Sequence, residues 1–174
     1  QEMDKRKNDE VKLDGFWPRT IEEVDTELDK WFSGQLSIVD KEWTIWGYHI
    51  LTDINNQQII EDPHGIIAKW HERLKTYPPQ LKEAIMRKHL SSLRYWRNDY
   101  HYVNKVVRKD AIFLSGLSAR LVHDMMQVLY AINEKYFVGD GSNLEFSRDF
   151  AVLPSDLGER VNAALYPSSD SDLF

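Results

Sequence analysis

The residue whose type and setting best suit catalysis is Asp14, which lies in a short alternating segment, Val11–Trp17. Alternation of apolar and polar residues predicts a β-strand. Two-metal enzymes hold Mg²⁺ with carboxylates from adjacent strands. One carboxylate cannot do this alone, and no other segment pairs convincingly with this strand. Local sequence therefore favours a strand-end Asp that faces water, and the catalytic interpretation requires partner strands.

Other catalytic chemistries find little support in the sequence. The six His residues form no HExxH pattern and no close pair. Ser115 and Ser118 lie in a helical segment, without the strand–turn–helix elbow of a serine hydrolase. Gly139 and Gly141 follow a helix rather than a strand, so they do not form a phosphate-binding loop.

A second set of polar residues lies at the end of the longest helical pattern, Asp110–Tyr136. Asn133, Tyr136 and Asp140 follow its apolar stripe at the C-terminal end. In one interpretation Asn133 bonds a neighbouring helix. In the other, these side chains orient a polar substrate in a cleft between helices.

Polar residues also interrupt the body of that helix. Arg120, His123 and Asp124 are predicted to serve packing and local pairing, because Asp124 follows Arg120 by one helical turn.

The helical elements that position these residues have clear sequence signals. Thr20 and Glu23 form a capping box that starts a helix running to about Phe32, and Gly34 stops it. Further helices are predicted over residues 41–52, 66–77, 81–107, 110–136, 144–150 and from 156 onward. The predicted fold is mostly α, a helical bundle with a short residual β segment at the N-terminus. We predict a nucleotidyltransferase-domain remnant at 1–19, a helical substrate-binding domain at 20–166 and a disordered tail at 167–174.

Composition excludes several classes of protein and of binding site. The chain has 174 residues, 42% of them hydrophobic, a net charge of −6 and no Cys. An ample apolar content excludes global disorder, and the acidic balance disfavours nucleic-acid binding while it suits a small polar or cationic substrate. Absence of Cys excludes disulfides and thiolate metal sites and points to the cytoplasm. No apolar run is long enough to span a membrane, and no secretory signal is present.

Three passages together resemble a known family. Residues 129–139, LYAINEKYFVG, are similar to a segment of the helical C-terminal domains of bacterial nucleotidyltransferases, of the DUF4037 and aminoglycoside-nucleotidyltransferase-like type. Residues 60–65, IEDPHG, followed by a helix and Tyr77-Pro78, are similar to another passage of that family. Residues 11–14 with the helix after Thr20 resemble its last catalytic-domain strand and the next helix.

The resemblance implies a two-part enzyme that transfers a nucleotidyl group from a nucleoside triphosphate (NTP) to a hydroxyl of an aminoglycoside-like molecule. Mg²⁺ and the NTP belong to a polymerase-β-like domain, to which Asp14 contributes a catalytic carboxylate and metal ligand. Asn133, Tyr136 and Asp140 face the acceptor. The Gly-Ser turn and the Asp-x-Asp pair with which that domain binds the NTP and Mg²⁺ do not occur before Asp14. The family's pattern also has a Lys shortly after the glycine that ends the helix predicted over 110–136, and no Lys follows Gly139. We therefore expect the isolated chain to be inactive and to need a missing or separate nucleotidyltransferase domain.

Two alternatives belong to other classes. One is a non-catalytic interaction module or homodimer that uses Trp17, Trp43 and Trp46 as interface anchors. The other is a ribonuclease, because the run from Arg97 to His101 resembles the Arg-to-His motif of HEPN ribonucleases, although its gap is shorter. On a continuous helix these two residues lie one turn apart, and a solvated helix face is the preferred interpretation.

Overall fold

The computed structural model describes residues 17–38, 45–46, 50–97, 100–139, 141–166 and 168. These residues form eight helices and no strand, which confirms a mostly helical fold. The helices are α1 Ile21–Phe32, α2 Ile50–Asn56, α3 Ile66–Leu74, α4 Pro79–Arg97, α5 Tyr100–Val107, α6 Ala111–Ile132, α7 Asn143–Phe146 and α8 Leu157–Leu165. Residues 11–16 of the predicted strand, Asp14 and Asp140, and residues 167 and 169–174 of the predicted tail, lie outside the described residues.

Helix α1 begins and ends where its sequence signals predict. The Thr20 hydroxyl accepts a hydrogen bond from the Glu23 backbone, and the Glu23 carboxylate accepts one from the Thr20 backbone. This reciprocal pair satisfies amide groups that have no partner within the helix. At the other end Gly34 adopts a φ of +81°, a conformation that glycine allows at little cost.

The helix predicted over residues 81–107 is described in two stretches, α4 up to Arg97 and α5 from Tyr100, and the two residues between them lie outside the described part of the chain. The apolar spacing over 81–107 predicts an inner stripe that includes Tyr100 and Val103, and for these two residues the prediction is wrong, since both are exposed. Only Val106 of α5 is buried, so the second element presents a different face to the bundle.

Helix α6 is the central element of the described structure. An Asp directly before an apolar helical pattern predicts an N-cap, and the Asp110 side chain does cap α6 by accepting a hydrogen bond from the Phe113 backbone. The helix stops at Ile132, one turn before the predicted end at Tyr136, because Glu134 adopts a φ of +56°. Its most extensive contact is with α4, and further contacts join it to α5 and α8.

Two apolar clusters share this helix. The first joins α1, α2, α3 and α4 and includes Ala131 of α6, which has no exposed surface. The second lies around Met126, Leu129 and Tyr130 of α6, with Leu157 and Val161 of α8. Helix α6 therefore lies between two cores and contributes residues to both.

Between α1 and α2 the structure describes Ile45 and Trp46, which lie in a bend rather than in the helix predicted over 41–52. Helix α2 begins at Ile50. Within the described ranges, no helix is both long enough and apolar enough to cross a membrane.

Candidate functional site

The most unusual polar feature of the described structure is a buried hydrogen-bonded pair of ionisable side chains between α4 and α6. The Nδ1 atom of His89 lies 2.6 Å from the Oδ1 atom of Asp124. Only 4% of His89 and 5% of Asp124 is exposed. Charged groups this deeply buried are rare unless they are paired, because leaving water costs them hydration. The two residues thus connect the most extensively packed helices at their polar centre.

Burial and pairing change the pKa of the His89 imidazole in opposite directions. Burial lowers the pKa of His89 below its ordinary value, and the Asp124 carboxylate, which raises it, offsets burial only in part. His89 is therefore mostly neutral at pH 7, and a neutral imidazole beside Asp124 Oδ1 carries its proton on Nδ1. Such a His–carboxylate pair has a fixed ring orientation and a fixed tautomer.

The second oxygen of Asp124 is not satisfied in the same way. Its Oδ2 atom is buried and has no hydrogen-bond partner in the described structure. The nearest cation is Arg120, whose Nε lies 4.0 Å away, too far for a hydrogen bond. Arg120 is itself exposed, so Oδ2 lies just beneath the surface on that side of α6.

Two further polar residues border this pair. The His123 ring meets the His89 ring edge-on at 5.7 Å and stacks on Trp46 at 4.3 Å. The Ser92 hydroxyl, one turn after His89 on α4, is buried without a hydrogen-bond partner in the described part of the chain. We call His89, Ser92, Arg120, His123 and Asp124 the α4–α6 polar cluster.

A surface cavity of about 530 Å³ follows α4, and it does not include the polar cluster. Its described lining is Glu83, Met86, Arg87, Leu90, Ser91 and Arg94. Arg87 already pairs with Glu83 along the helix. The polar side chains of this lining are exposed to solvent, whereas the cluster contains a buried acceptor without a donor, so the cluster is the better candidate site.

The structure gives Asn133 a clear local role. Its side-chain nitrogen donates to the carbonyl oxygens of Leu129 and Val152 at 2.9 and 2.8 Å. Its side-chain oxygen accepts a hydrogen bond from the Val152 backbone at 2.9 Å. The amide thus fastens the loop before α8 to the end of α6. Its predicted contact with substrate stays a prediction.

Tyr136 joins two of the three passages that carry the family resemblance. Its ring stacks on Tyr77 at 5.0 Å, and its hydroxyl donates to the Leu74 carbonyl at 3.0 Å. Burial raises the pKa of Tyr136 to about 12. One residue further on, the Phe137 carbonyl accepts a hydrogen bond from the Thr52 hydroxyl. We call these contacts the Tyr77–Tyr136 joint. Substrate contact by Tyr136 also stays a prediction.

The Asp-Pro turn of the other passage is a helix cap. The Asp62 carboxylate accepts hydrogen bonds from the backbones of Ile66 and Ala68 at the start of α3. These bonds, that of Ala68 foremost, lower the pKa of Asp62. Helix N-termini favour such negative charge.

The remaining predicted site residues stay predictions. Arg97 is the last residue of α4 and His101 lies in α5, and the two residues between these helices lie outside the described part of the chain. Among the residues that the structure covers, no group of three or more His, Asp or Glu side chains is arranged to hold a metal. The described residues therefore do not fit a Mg²⁺ site, and Asp14 stays a prediction.

Sequence reasoning missed the partner of Asp124. It paired Asp124 with Arg120 on the same helix, whereas the close partner is His89 on α4. A signal existed, because His89 follows Leu81 and Ile85 at helical spacing on the buried stripe of α4. A titratable residue on such a stripe requires a polar partner on the facing helix.

The sequence model of one family, described as "Domain of unknown function (DUF4037)", matches residues 43–139. This range takes in α2 to α6, the Tyr77–Tyr136 joint and the α4–α6 polar cluster. No curated protein and no solved structure matches the chain. Since the matched range covers more than half of the 174 residues, the chain belongs to the DUF4037 family.

Proposed function

We propose that this chain is the helical substrate-binding domain of a nucleotidyltransferase-like protein. In this proposal the complete activity transfers a nucleotidyl group from an NTP to a hydroxyl of a small, aminoglycoside-like molecule in the cytoplasm. The isolated chain binds the acceptor and does not catalyse transfer. Support comes from the DUF4037 membership, from the three resembling passages and from the chemistry of the α4–α6 polar cluster.

The observation that carries the proposal is the unpartnered Oδ2 atom of Asp124. A buried acceptor without a donor costs about 1–3 kcal/mol, and more when it is charged. A hydroxyl or ammonium group of a ligand would supply the missing donor. The net charge of −6 also favours a cationic acceptor over an anionic one.

The other residues of the cluster fit a binding role. His89 holds the Asp124 carboxylate through Oδ1, which leaves Oδ2 as the acceptor for a ligand. Arg120 lies at the exposed side of Asp124. Its positive charge repels cationic groups, so it limits how many of them a ligand can place beside Asp124. Asn133 and Tyr136 support this arrangement indirectly, because they fix the chain that follows α6.

Mg²⁺ and the NTP would be held by the separate nucleotidyltransferase domain, with Asp14 as the predicted contribution of this chain. The metal would neutralise charge on the transferred phosphoryl group. The proposal requires a domain with a Gly-Ser turn and an Asp-x-Asp pair, encoded in the same gene or next to it. Its absence from both places would contradict the proposal.

Binding can be tested on the chain alone with the amino-cyclitol 2-deoxystreptamine as the probe, by isothermal titration calorimetry. We expect the wild type to bind and Asp124→Asn to bind at least about tenfold more weakly, since a charge-assisted hydrogen bond contributes about 1.5–3 kcal/mol. Glu159→Gln removes an exposed carboxylate and is the matched control. Circular dichroism checks that each variant is folded.

Failure of the wild type to bind, or equal affinities for wild type and Asp124→Asn, would overturn the assignment of the cluster. If Asp124→Asn does not fold, Arg120→Lys provides a second test on an exposed residue. We expect this variant to fold and to change the affinity severalfold, because Lys moves the charge beside Asp124.

Transfer itself is tested with the full gene product, Mg²⁺, radiolabelled ATP and the same probe. We expect transfer by the full product, none by the isolated chain and loss of transfer in Asp14→Asn. Unchanged turnover in Asp14→Asn would remove Asp14 from the mechanism, whatever the binding experiment shows.

A further inference from the structure

Helix α5 carries an apolar stripe that the described bundle leaves uncovered. Tyr100, Val103 and Val107 recur at steps of three and four residues, so they share one side of the helix. Their exposed fractions are 71%, 49% and 70%. Ile112, in the first turn of α6 just after the connecting turn, is 90% exposed. We call these four residues the α5 face.

Charge around the α5 face is opposite in sign to that of the whole chain. Residues 94–109 contain five Lys or Arg and one Asp, whereas the net charge of the chain is −6. Of these cations, Arg94, Arg97, Arg108 and Lys109 are exposed. An exposed apolar stripe with a polar, charged border is typical of a protein interaction site.

The composition of the face discriminates between classes of partner. Of the α5 face, only Tyr100 has a π-face on which a nucleic-acid base could stack, and the other three residues are aliphatic. A membrane-surface helix normally presents Trp, Phe and Leu on its apolar side, and the α5 face contains none of these. A protein surface with an apolar centre and an acidic border fits both the stripe and its basic flanks.

The chain itself provides such a surface. Residues 145–156 contain Glu145, Asp149 and Asp156 against one base, Arg148. The same segment exposes Phe146, Val152 and Leu153. We call it the acidic segment.

We propose that the α5 face docks onto the acidic segment of a second copy of this chain. Pairing of two α5 faces with each other is disfavoured, because their basic flanks repel. In a twofold dimer the contact forms twice, since each copy supplies one α5 face and one acidic segment. A stable interface buries about 1,600 Å², and in this dimer the area is shared between the two contacts.

The first test measures the mass of the chain in solution by sedimentation velocity at about 1–100 μM, the range in which such interfaces associate. We expect a dimer for the wild type and at least about tenfold weaker association for Val107→Glu, which places a charge in the stripe. Ile60→Glu is the matched control, because Ile60 is also exposed but lies between α2 and α3. We expect it to dimerise as the wild type does.

The second test uses reversed charges. One variant carries Arg108→Glu and Lys109→Glu, and another carries Glu145→Lys and Asp149→Lys. Each variant alone brings like charges together in both contacts and should be monomeric. An equimolar mixture restores opposite charges in both contacts, so a heterodimer should form. This recovery does not depend on the ligand of the polar cluster.

A monomeric wild type overturns the proposal, and so does a mixture that stays monomeric. Anionic vesicles or a single-stranded oligonucleotide that bind the wild type and lose binding in Val107→Glu would assign the face to a membrane or a nucleic acid instead. All these variants change exposed residues, and circular dichroism confirms their fold before the comparison.

Discussion

At the scale of single residues, His89 and Asp124 show how two positions 35 apart in sequence become one chemical unit. The sequence identified Asp124 as polar in an apolar helix and predicted a partner for it. The relative placement of α4 and α6 cannot be predicted from the sequence, so the prediction paired Asp124 with the nearest cation on its own helix. Local pairing can be predicted from helical spacing, whereas pairing between helices depends on packing.

The same pair predicts a pH dependence of stability. The pKa of His89 is lowered in the folded state, and its unfolded value is about 6.5. The unfolded state therefore binds the proton more readily. The contribution of His89 to the free energy of unfolding is therefore complete above about pH 6.5, and it is lost as the pH falls below that value. Urea unfolding at pH 7.5, 6.5 and 5.5 measures it.

His89→Gln should flatten this dependence, because an amide does not titrate. His64→Gln, at an exposed position, should leave it as in the wild type. A wild-type stability that is constant from pH 7.5 to 5.5, or that rises as the pH falls, would contradict a lowered pKa.

At the scale of elements, capping signals predicted helix starts well and helical periodicity predicted burial poorly. Thr20 and Asp110 cap α1 and α6 as their sequences predict, because a cap is a contact between near neighbours. The apolar spacing continues from α4 into α5 and predicts a buried Tyr100, yet Tyr100 is exposed. The spacing of apolar residues predicts which of them share a side of a helix. It does not predict whether another element covers that side.

Two glycines provide a matched prediction at this scale. Gly34 has a φ of +81°, and a Cβ there would lie 2.8 Å from the Gln80 carbonyl oxygen of α4. Gly34→Ala should therefore destabilise the fold by roughly 1–3 kcal/mol. Gly116 lies within α6 with open space around it. Gly116→Ala should stabilise the fold by about 0.5–1 kcal/mol, because alanine favours the helix.

Thermal unfolding of both variants checks this pair. Equal midpoints for Gly34→Ala and the wild type would mean that α1 and α4 are not held in the described close approach. A destabilised Gly116→Ala would mean that this position of α6 is covered.

At the scale of the whole molecule, α6 couples two apolar clusters into one cooperative unit. Leu28 is fully buried in the cluster around α1 to α4, and Leu129 is buried in the cluster with α8. Ala131 belongs to the first cluster although it lies beside Leu129 on the same helix. Neither cluster can unfold without exposing one side of α6 to solvent.

We therefore predict that Leu28→Ala and Leu129→Ala each lower the free energy of unfolding by roughly 2–5 kcal/mol, as buried leucines do. Each variant should still unfold in one transition, since loss of either core leaves α6 without half of its packing. Calorimetry distinguishes one transition from two, and a separate early transition in Leu129→Ala would show that the α8 side unfolds on its own.

The Tyr77–Tyr136 joint has a consequence for recognising relatives. Two of the passages by which this chain resembles its family meet in space to connect α3 to the end of α6, while the candidate ligand acceptor lies elsewhere, on α4 and α6. A search pattern written on those passages would thus retrieve chains that are built alike, irrespective of what they bind. Ligand preference would have to be read from the positions equivalent to His89, Arg120 and Asp124, which such a pattern does not contain.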